Sequence, residues 1–123
     1  MASIKRDTLE ALLLAAQNTF PNEFLAFLSS TSKKGKVVDE FVVLPAVYGR
    51  SYSSIRLDLL PYDSHILGSV HSHPGPRASP SRGDLRAFKA LGETHLIIAS
   101  PFTLESVRAF DASGNEVRLE VVE

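Results

Sequence analysis

The chain has 123 residues, of which 44% are hydrophobic and 22% are charged, and this is the size and composition of one globular domain. Thirteen Lys and Arg residues against fourteen Asp and Glu residues give a formal charge of −1, which argues against a nucleic-acid binder that relies on a broad basic face but leaves a local basic patch open. There is no cysteine, so disulfides, thiolate metal sites and a cysteine nucleophile are excluded, and any metal ion must be held by His, Asp or Glu.

No targeting or membrane segment is recognisable in the sequence. The N-terminus lacks the basic, apolar and small-residue order of a secretion signal, and no apolar run approaches the roughly 18 residues of a membrane-spanning helix. We therefore expect a cytoplasmic protein that contacts neither membrane nor nucleic acid.

An amphipathic helix is predicted near the N-terminus, over residues 6–19. Pro21 and Asn22 follow this segment and end it. Apolar residues recur at steps of three and four and form one stripe, which is typical of a helix that packs on a core; they are Leu9, Leu12, Leu13, Ala16 and Phe20.

Strands are predicted after this helix. The continuous apolar run over 24–28 indicates a strand that is buried on both faces. A polar, hairpin-like connection over 29–36 leads to a further strand over 37–47, which Pro45 interrupts. Apolar and charged residues alternate over 54–60, and this pattern predicts a strand with one solvated face.

The second half combines a central strand, a stiff loop, a helix and closing strands. Residues 65–71 predict a central strand, and the loop 74–80 contains three prolines. A helix is predicted over 81–91, with Gly92 ending it, before three closing strands over 96–99, 107–111 and 117–122. The order of elements predicts an α+β fold in which a mixed β-sheet is flanked by two helices.

Two histidines and an aspartate have the spacing of metal ligands. Side chains two positions apart on a strand project to the same face, so His71 and His73 can hold one ion. Zinc accepts imidazole and carboxylate ligands, and with three protein ligands the fourth position is left for water. Two other interpretations remain open: the histidines are solvated, or Asp84 only forms a helix-capping box with Ser81.

Together these residues form a longer motif. The chain has His71, one residue, His73, Pro74, six residues, Ser81, two residues and Asp84. This arrangement resembles the signature of the JAMM (MPN+) metalloproteases, with no shift in register.

The resemblance extends upstream to Glu23, because the family carries a glutamate on the first strand after an N-terminal helix. It implies that His71, His73 and Asp84 bind one catalytic Zn²⁺. It also implies that Glu23 hydrogen-bonds the zinc-bound water and moves its proton, and that Ser81 stabilises the oxyanion. Taken alone, Glu23 would be a solvated residue beyond a helix end, and Ser81 would be a helix N-cap.

The resemblance covers the whole chain and carries expectations for the fold. It implies a single JAMM/MPN+ domain over residues 1–123, with a cytidine deaminase-like α/β sandwich and no large insertions. Eukaryotic members usually have a glycine three residues after the glutamate, where this chain has Ala26. The chain therefore resembles the small, stand-alone archaeal or bacterial members.

The resemblance implies an isopeptidase that releases a ubiquitin-like small modifier, ending in Gly-Gly, from a substrate amine. Two alternatives stay open: a peptidase that trims the C-terminus of a sulfur-carrier protein, and a metal-free MPN interaction scaffold. Pro74, Gly75, Arg77 and the stretch 48–54 are the expected substrate contacts. The sequence does not specify the oligomeric state.

Three further polar residues are not expected to act in catalysis. His65 and His95 lie on predicted strands without a spacing partner, and we expect them to be packed or surface histidines. Ser72 lies between His71 and His73, so strand alternation turns it to the opposite face and away from a nucleophilic role.

Overall fold

The computed structural model of the protein describes residues 1–31, 36–43 and 66–123. Within these residues the chain forms two α-helices, α1 (Arg6–Thr19) and α2 (Arg82–Leu91), and a 3-10 turn at Leu104–Ser106. Its strands are β1 (Ala2–Lys5), β2 (Leu25–Ser29), β3 (Val37–Val38), β4 (Glu40–Val43), β5 (Ile66–His73), β6 (Thr94–Ala99), β7 (Val107–Phe110), β8 (Glu116–Val117) and β9 (Leu119–Val122).

These strands form two sheets. The larger sheet has six strands in the order β4-β2-β5-β6-β7-β8; β5 and β6 are parallel, and the other pairs are antiparallel. The smaller sheet has the order β3-β1-β9 and is parallel throughout. The predicted fold class, a mixed sheet flanked by two helices, is confirmed, and β5 lies in the interior of the larger sheet.

Helix α1 has the predicted bounds, and its apolar stripe is buried as expected, with one exception. Leu9, Leu12, Leu13 and Ala16 lie in the main hydrophobic core. Phe20 does not, and it is 52% exposed. The helix ends at Thr19 and the backbone of Phe20 is extended (φ −52°, ψ 136°), so its side chain leaves the stripe.

Two segments that were each predicted as one strand are divided between the sheets. The segment predicted over 37–47 breaks at Asp39, because β3 pairs with β1 whereas β4 pairs with β2. The segment predicted over 117–122 breaks at Arg118, because β8 pairs with β7 whereas β9 pairs with β1. Strand β1 was not predicted from the sequence. The strand predicted over 54–60 lies outside the described residues.

The two faces of the larger sheet carry different elements. Helix α1 and the smaller sheet pack on the face that contains Ala26, Val70 and Leu96. Helix α2 packs on the other face through Phe88 and Leu91. In the part of the chain that the structure describes, no helix is long and apolar enough to cross a membrane.

Candidate metal centre

The last residues of β5 present two imidazoles on the α2 side of the sheet. The Nε2 atoms of His71 and His73 lie 2.9 Å apart, and His71 is buried while the His73 side chain is 21% exposed. Ser72 points to the opposite face as predicted, and there its Oγ accepts a hydrogen bond of 2.8 Å from the Phe24 N–H.

The first turn of α2 brings a carboxylate to these rings. Ser81 caps the helix: its Oγ accepts the Asp84 N–H at 3.1 Å, while Asp84 Oδ2 accepts the Ser81 N–H at 2.8 Å. This reciprocal pair is the capping box expected from the sequence. The same Oδ2 lies 3.2 Å from His71 Nε2 and 3.5 Å from His73 Nε2, so the cap also places Asp84 at the site.

The spacing of the three ligand atoms fits a tetrahedral metal ion. Their separations are 2.9, 3.2 and 3.5 Å, and donors at zinc–ligand lengths of about 2.0–2.1 Å in a tetrahedron are about 3.3–3.4 Å apart. Within the described residues, His71, His73 and Asp84 are the cluster able to hold a metal ion. Two imidazoles and a carboxylate are a donor set that zinc accepts.

A main-chain carbonyl sets the orientation of one of these rings. The Nδ1 atom of His73 is 3.0 Å from the carbonyl oxygen of Arg77. A carbonyl only accepts hydrogen bonds, so Nδ1 carries the hydrogen, and the lone pair of the neutral ring is on Nε2, which faces Asp84. Metal-binding histidines are typically held in this way.

The charges at the site are coupled. Burial raises the pKa of Asp84, but hydrogen bonds from His71 and His73 outweigh it and leave that pKa well below its usual range. The hydrogen bond that Nε2 of His73 donates to Asp84 when the ring is protonated raises the pKa of His73, against the opposing effect of burial. Asp84 is therefore a carboxylate at neutral pH, and a proton and a metal ion compete for Nε2 of His73.

Glu23 and Ser81 lie at the same end of the sheet as the two histidines. Glu23 lies two residues before β2, and the register that pairs Leu25 with His71 carries it toward His73. Its charge contributes to raising the pKa of His73. Both Glu23 and Ser81 are exposed. The structure therefore places all five predicted site residues around one end of β5.

The loop after β5 contains the expected substrate contacts. Pro74 and Arg77 are exposed, and the carbonyl of Gly75 accepts a hydrogen bond of 3.0 Å from the Ser100 N–H. A cavity of about 640 Å³ lies beside this loop, between Arg77 and Arg108. The stretch 48–54 lies outside the described residues, and contact with substrate at all these positions stays a prediction.

Two parts of the site were not visible in the sequence. The carbonyl of Arg77 supports His73 through a main-chain atom, which every residue type carries, so it leaves no pattern. His95 is packed, one of the two outcomes expected for it. Its hydrogen-bond partner Ser69 is 26 positions away, and no sequence spacing indicated that pair.

Comparison with known proteins finds relatives that match the chain over most or all of its length. Residues 5–113 match the model of the Prok-JAB family, the prokaryotic homologues of the JAB domain. A probable metalloprotease of Haloferax volcanii is 35% identical over 131 residues, an alignment that covers all of this chain and 81% of that protein.

Solved structures agree with this match. A JAB1/MPN domain protein from Archaeoglobus fulgidus has a TM-score of 0.79 and 36% identity, with both chains fully covered. A chain solved to describe JAMM, a metalloprotease-like zinc site in the proteasome and signalosome, has a TM-score of 0.78 and 34% identity, covering 100% of this chain and 99% of the other. This chain therefore belongs to the Prok-JAB family and is a JAMM/MPN metalloprotease-like protein.

Proposed function

We propose that the protein is a zinc-dependent isopeptidase that hydrolyses the bond between the Gly-Gly terminus of a ubiquitin-like small modifier and a substrate amine. The observation that carries this proposal is the triangle of His71 Nε2, His73 Nε2 and Asp84 Oδ2, with sides of 2.9–3.5 Å. Membership of the family and the similarity to a probable metalloprotease support it.

The three ligands would hold the ion by one oxygen and two nitrogen atoms. When bound, zinc supplies a water with a pKa near 7 and polarises a carbonyl group. His71 is buried and His73 is held by the Arg77 carbonyl, so both rings are oriented before any ion arrives. This preorganisation favours binding because little side-chain freedom remains to be lost.

Glu23 is the general base of the proposed reaction. Its carboxylate would accept a proton from the attacking water and pass it to the leaving amine, a role that typically contributes about 10²–10⁴-fold to the rate. The neighbouring residue Phe24 is tied to Ser72 by two hydrogen bonds, of 2.8 and 3.0 Å. Glu23 therefore stands on a fixed backbone although its side chain is exposed.

Ser81 is the proposed hydrogen-bond donor to the oxyanion. Its Oγ already accepts the Asp84 N–H, so its own hydroxyl hydrogen is left to donate to another group. Loss of one such donor typically costs about 10²–10³ in turnover. Ser81 can therefore cap α2 and take part in the reaction at the same time.

A modifier tail ending in Gly-Gly suits the surroundings of the site. Among the described strands, β4 forms one edge of the six-stranded sheet, and an extended peptide can add to such an edge through backbone hydrogen bonds. Glycine residues at the cleaved terminus would bring no side chain against Glu23 and Ser81, the exposed residues proposed to act on the scissile bond. These features support the proposed substrate class.

The test compares cleavage of a Gly-Gly-terminated modifier, joined to lysine through an isopeptide bond, by wild type, Glu23→Gln and Asp84→Ala. We expect Glu23→Gln to retain zinc and to lose about 10²–10⁴-fold in rate. We expect Asp84→Ala to bind zinc poorly and to be inactive. Full activity in both variants would contradict the mechanism.

The same assay separates the alternatives. A sulfur-carrier protein with one extra C-terminal residue is assayed as a substrate in parallel with the isopeptide conjugate. Cleavage of the extended carrier alone would assign the protein as a peptidase of that class. Failure of wild type to bind zinc, in protein prepared with ample zinc, would favour an interaction scaffold.

A further inference from the structure

A buried polar bridge lies behind the metal centre. His95, on β6, is fully buried, with Nδ1 at 2.7 Å from Ser69 Oγ and Nε2 at 2.7 Å from the carbonyl oxygen of Gly92. Because a carbonyl only accepts, Nε2 carries the hydrogen, and Nδ1 accepts from the Ser69 hydroxyl. Burial lowers the pKa of His95, which is consistent with this neutral ring.

The bridge joins the two elements that carry the metal ligands. Ser69 is on β5, two residues before His71, and the register places both on the α2 side of the sheet. Gly92 is the C-cap of α2. One ring nitrogen of His95 therefore binds β5, which carries the two histidine ligands, and the other binds the C-terminal end of α2, which carries Asp84.

The flat face of the ring adds a second contact with the helix. His95 stacks on Phe88 at a centroid distance of 4.3 Å and an angle of 14°, and Phe88 is fully buried. Phe88 follows Asp84 by four residues, so the two side chains lie on the same face of α2, one turn apart. This stacking fixes the helix close to the turn that carries Asp84.

We propose that His95 is a positioning residue that sets the separation between Asp84 and the two histidine ligands by holding α2 against β5. This inference rests on the proposed function only in taking His71, His73 and Asp84 to be the metal ligands. An apolar side chain at position 95 could fill the space, but the buried Ser69 hydroxyl and the half-buried Gly92 carbonyl would each lose the hydrogen bond that the ring makes with them.

The test measures the zinc dissociation constant by competition with a chromophoric chelator. We expect His95→Leu to weaken zinc binding about 10- to 100-fold, the range typical of residues that support metal ligands. His95→Gln retains one acceptor and one donor, so we expect it to recover most of the affinity. Ser69→Ala removes a single hydrogen bond, and its loss should be smaller than that of His95→Leu.

Leu96→Ala is the matched control. Leu96 is the next residue on β6, is equally buried, and faces α1 instead of α2. We expect this variant to be less stable than wild type while binding zinc with wild-type affinity. Equal loss of affinity in Leu96→Ala and His95→Leu would overturn the inference, since affinity would then follow stability alone.

A metal-free measurement separates this inference from the proposed function. In ¹H–¹⁵N spectra recorded without metal, His95→Leu should shift the amide signals of Ser81 and Asp84, and Leu96→Ala should leave them in place. Unshifted signals, or wild-type zinc affinity in both His95→Leu and Ser69→Ala, would overturn the positioning role. Failure of wild type to bind zinc or cleave substrate would overturn the proposed function, whereas the spectra would still decide the role of His95.

Discussion

The two faces of the six-stranded sheet are built from the same strands but differ in chemistry. On the α1 face, successive strands contribute Ala26, Val70 and Leu96, and this side belongs to the main hydrophobic core. On the α2 face, β5 contributes Ser69 and His71, paired with His95 and Ile97 of β6. The main apolar core therefore lies on one face, and on the other face buried polar side chains lie among apolar ones such as Phe27 and Ile97.

This difference shows how a small domain can hold a buried polar site. Burying polar groups costs free energy unless they are hydrogen-bonded, and on the α2 face the bridge of Ser69, His95 and Gly92 meets that condition. The α1 face supplies stabilisation by burying apolar side chains from α1 and both sheets. We therefore expect changes on the α1 face to alter mainly the stability of the protein, and changes on the α2 face to alter mainly the metal centre.

The largest expected effect is on the α2 face, from Asp84→Asn. Asparagine keeps an oxygen that accepts the Ser81 N–H but loses the negative charge, so zinc affinity should fall by more than the roughly 100-fold seen for residues behind the ligands. The zinc dissociation constant of the variant is measured by competition with a chelator. Affinity close to that of wild type would mean that Asp84 only caps α2.

On the α1 face, Leu12→Ala should lower stability without changing the metal centre. Leu12 is fully buried, and removing such a side chain typically costs about 2–5 kcal/mol of unfolding free energy. Denaturant unfolding of the metal-free protein measures the loss, and zinc titration of the folded variant is the companion measurement. A large loss of zinc affinity would show that the faces are not independent.

Ser72→Ala tests, at the metal centre itself, the alternation of β5 side chains between the two faces of the sheet. Ser72 lies between two ligands in sequence, but its hydroxyl is on the other face and accepts the Phe24 N–H. Leaving that buried N–H without its acceptor should cost about 1–3 kcal/mol of unfolding free energy, while one zinc ion per chain is still bound. Loss of zinc from the folded variant would place Ser72 among the residues that bind it.

The smallest expected effect is a pH dependence from His95. Burial lowers its pKa in the folded state, so below the unfolded value of about 6.5 the unfolded chain binds more protons and stability falls as pH falls. The contribution is at most about 1.4 kcal/mol per pH unit and ends once the folded-state pKa is passed.

Urea unfolding of the metal-free protein at stepped pH values measures this slope. His95→Gln carries no titratable group at that position, so its stability should depend less on pH than that of wild type. Identical pH profiles for the two proteins would show that His95 titrates alike in the folded and unfolded states.

The local pattern of apolar residues was sufficient to predict an element when the whole element packs on one core. Helix α1 was predicted with the correct bounds because its stripe packs on one core. The buried run predicted over 24–28 agrees with β2 (Leu25–Ser29) to within one residue at each end. Strand β1 has only four residues, and its partners lie at 37–38 and 119–122. Pairing over such sequence distances leaves no local signal, and for the same reason the breaks at Asp39 and Arg118 were not predicted.

The site followed the same rule. The strand spacing of His71 and His73 predicted that the two rings share a face, whereas their meeting with Asp84 was predicted only through the resemblance to the family motif. That meeting depends on the packing of α2 against β5. The bridge of His95 depends on Ser69, in the neighbouring strand, and on a main-chain carbonyl at Gly92. Contacts of that kind are determined by tertiary packing, so the sequence predicted only that His95 is a packed or surface residue.

The hydrogen bond from His73 to the Arg77 carbonyl has a consequence for evolution. Any residue at position 77 offers the same carbonyl, and the tie from the Ser100 N–H to the Gly75 carbonyl is likewise made by main-chain atoms alone. Side chains in this loop can therefore change while the ligand ring keeps its orientation. Related chains could diverge in what they recognise here and still inherit the same chemistry.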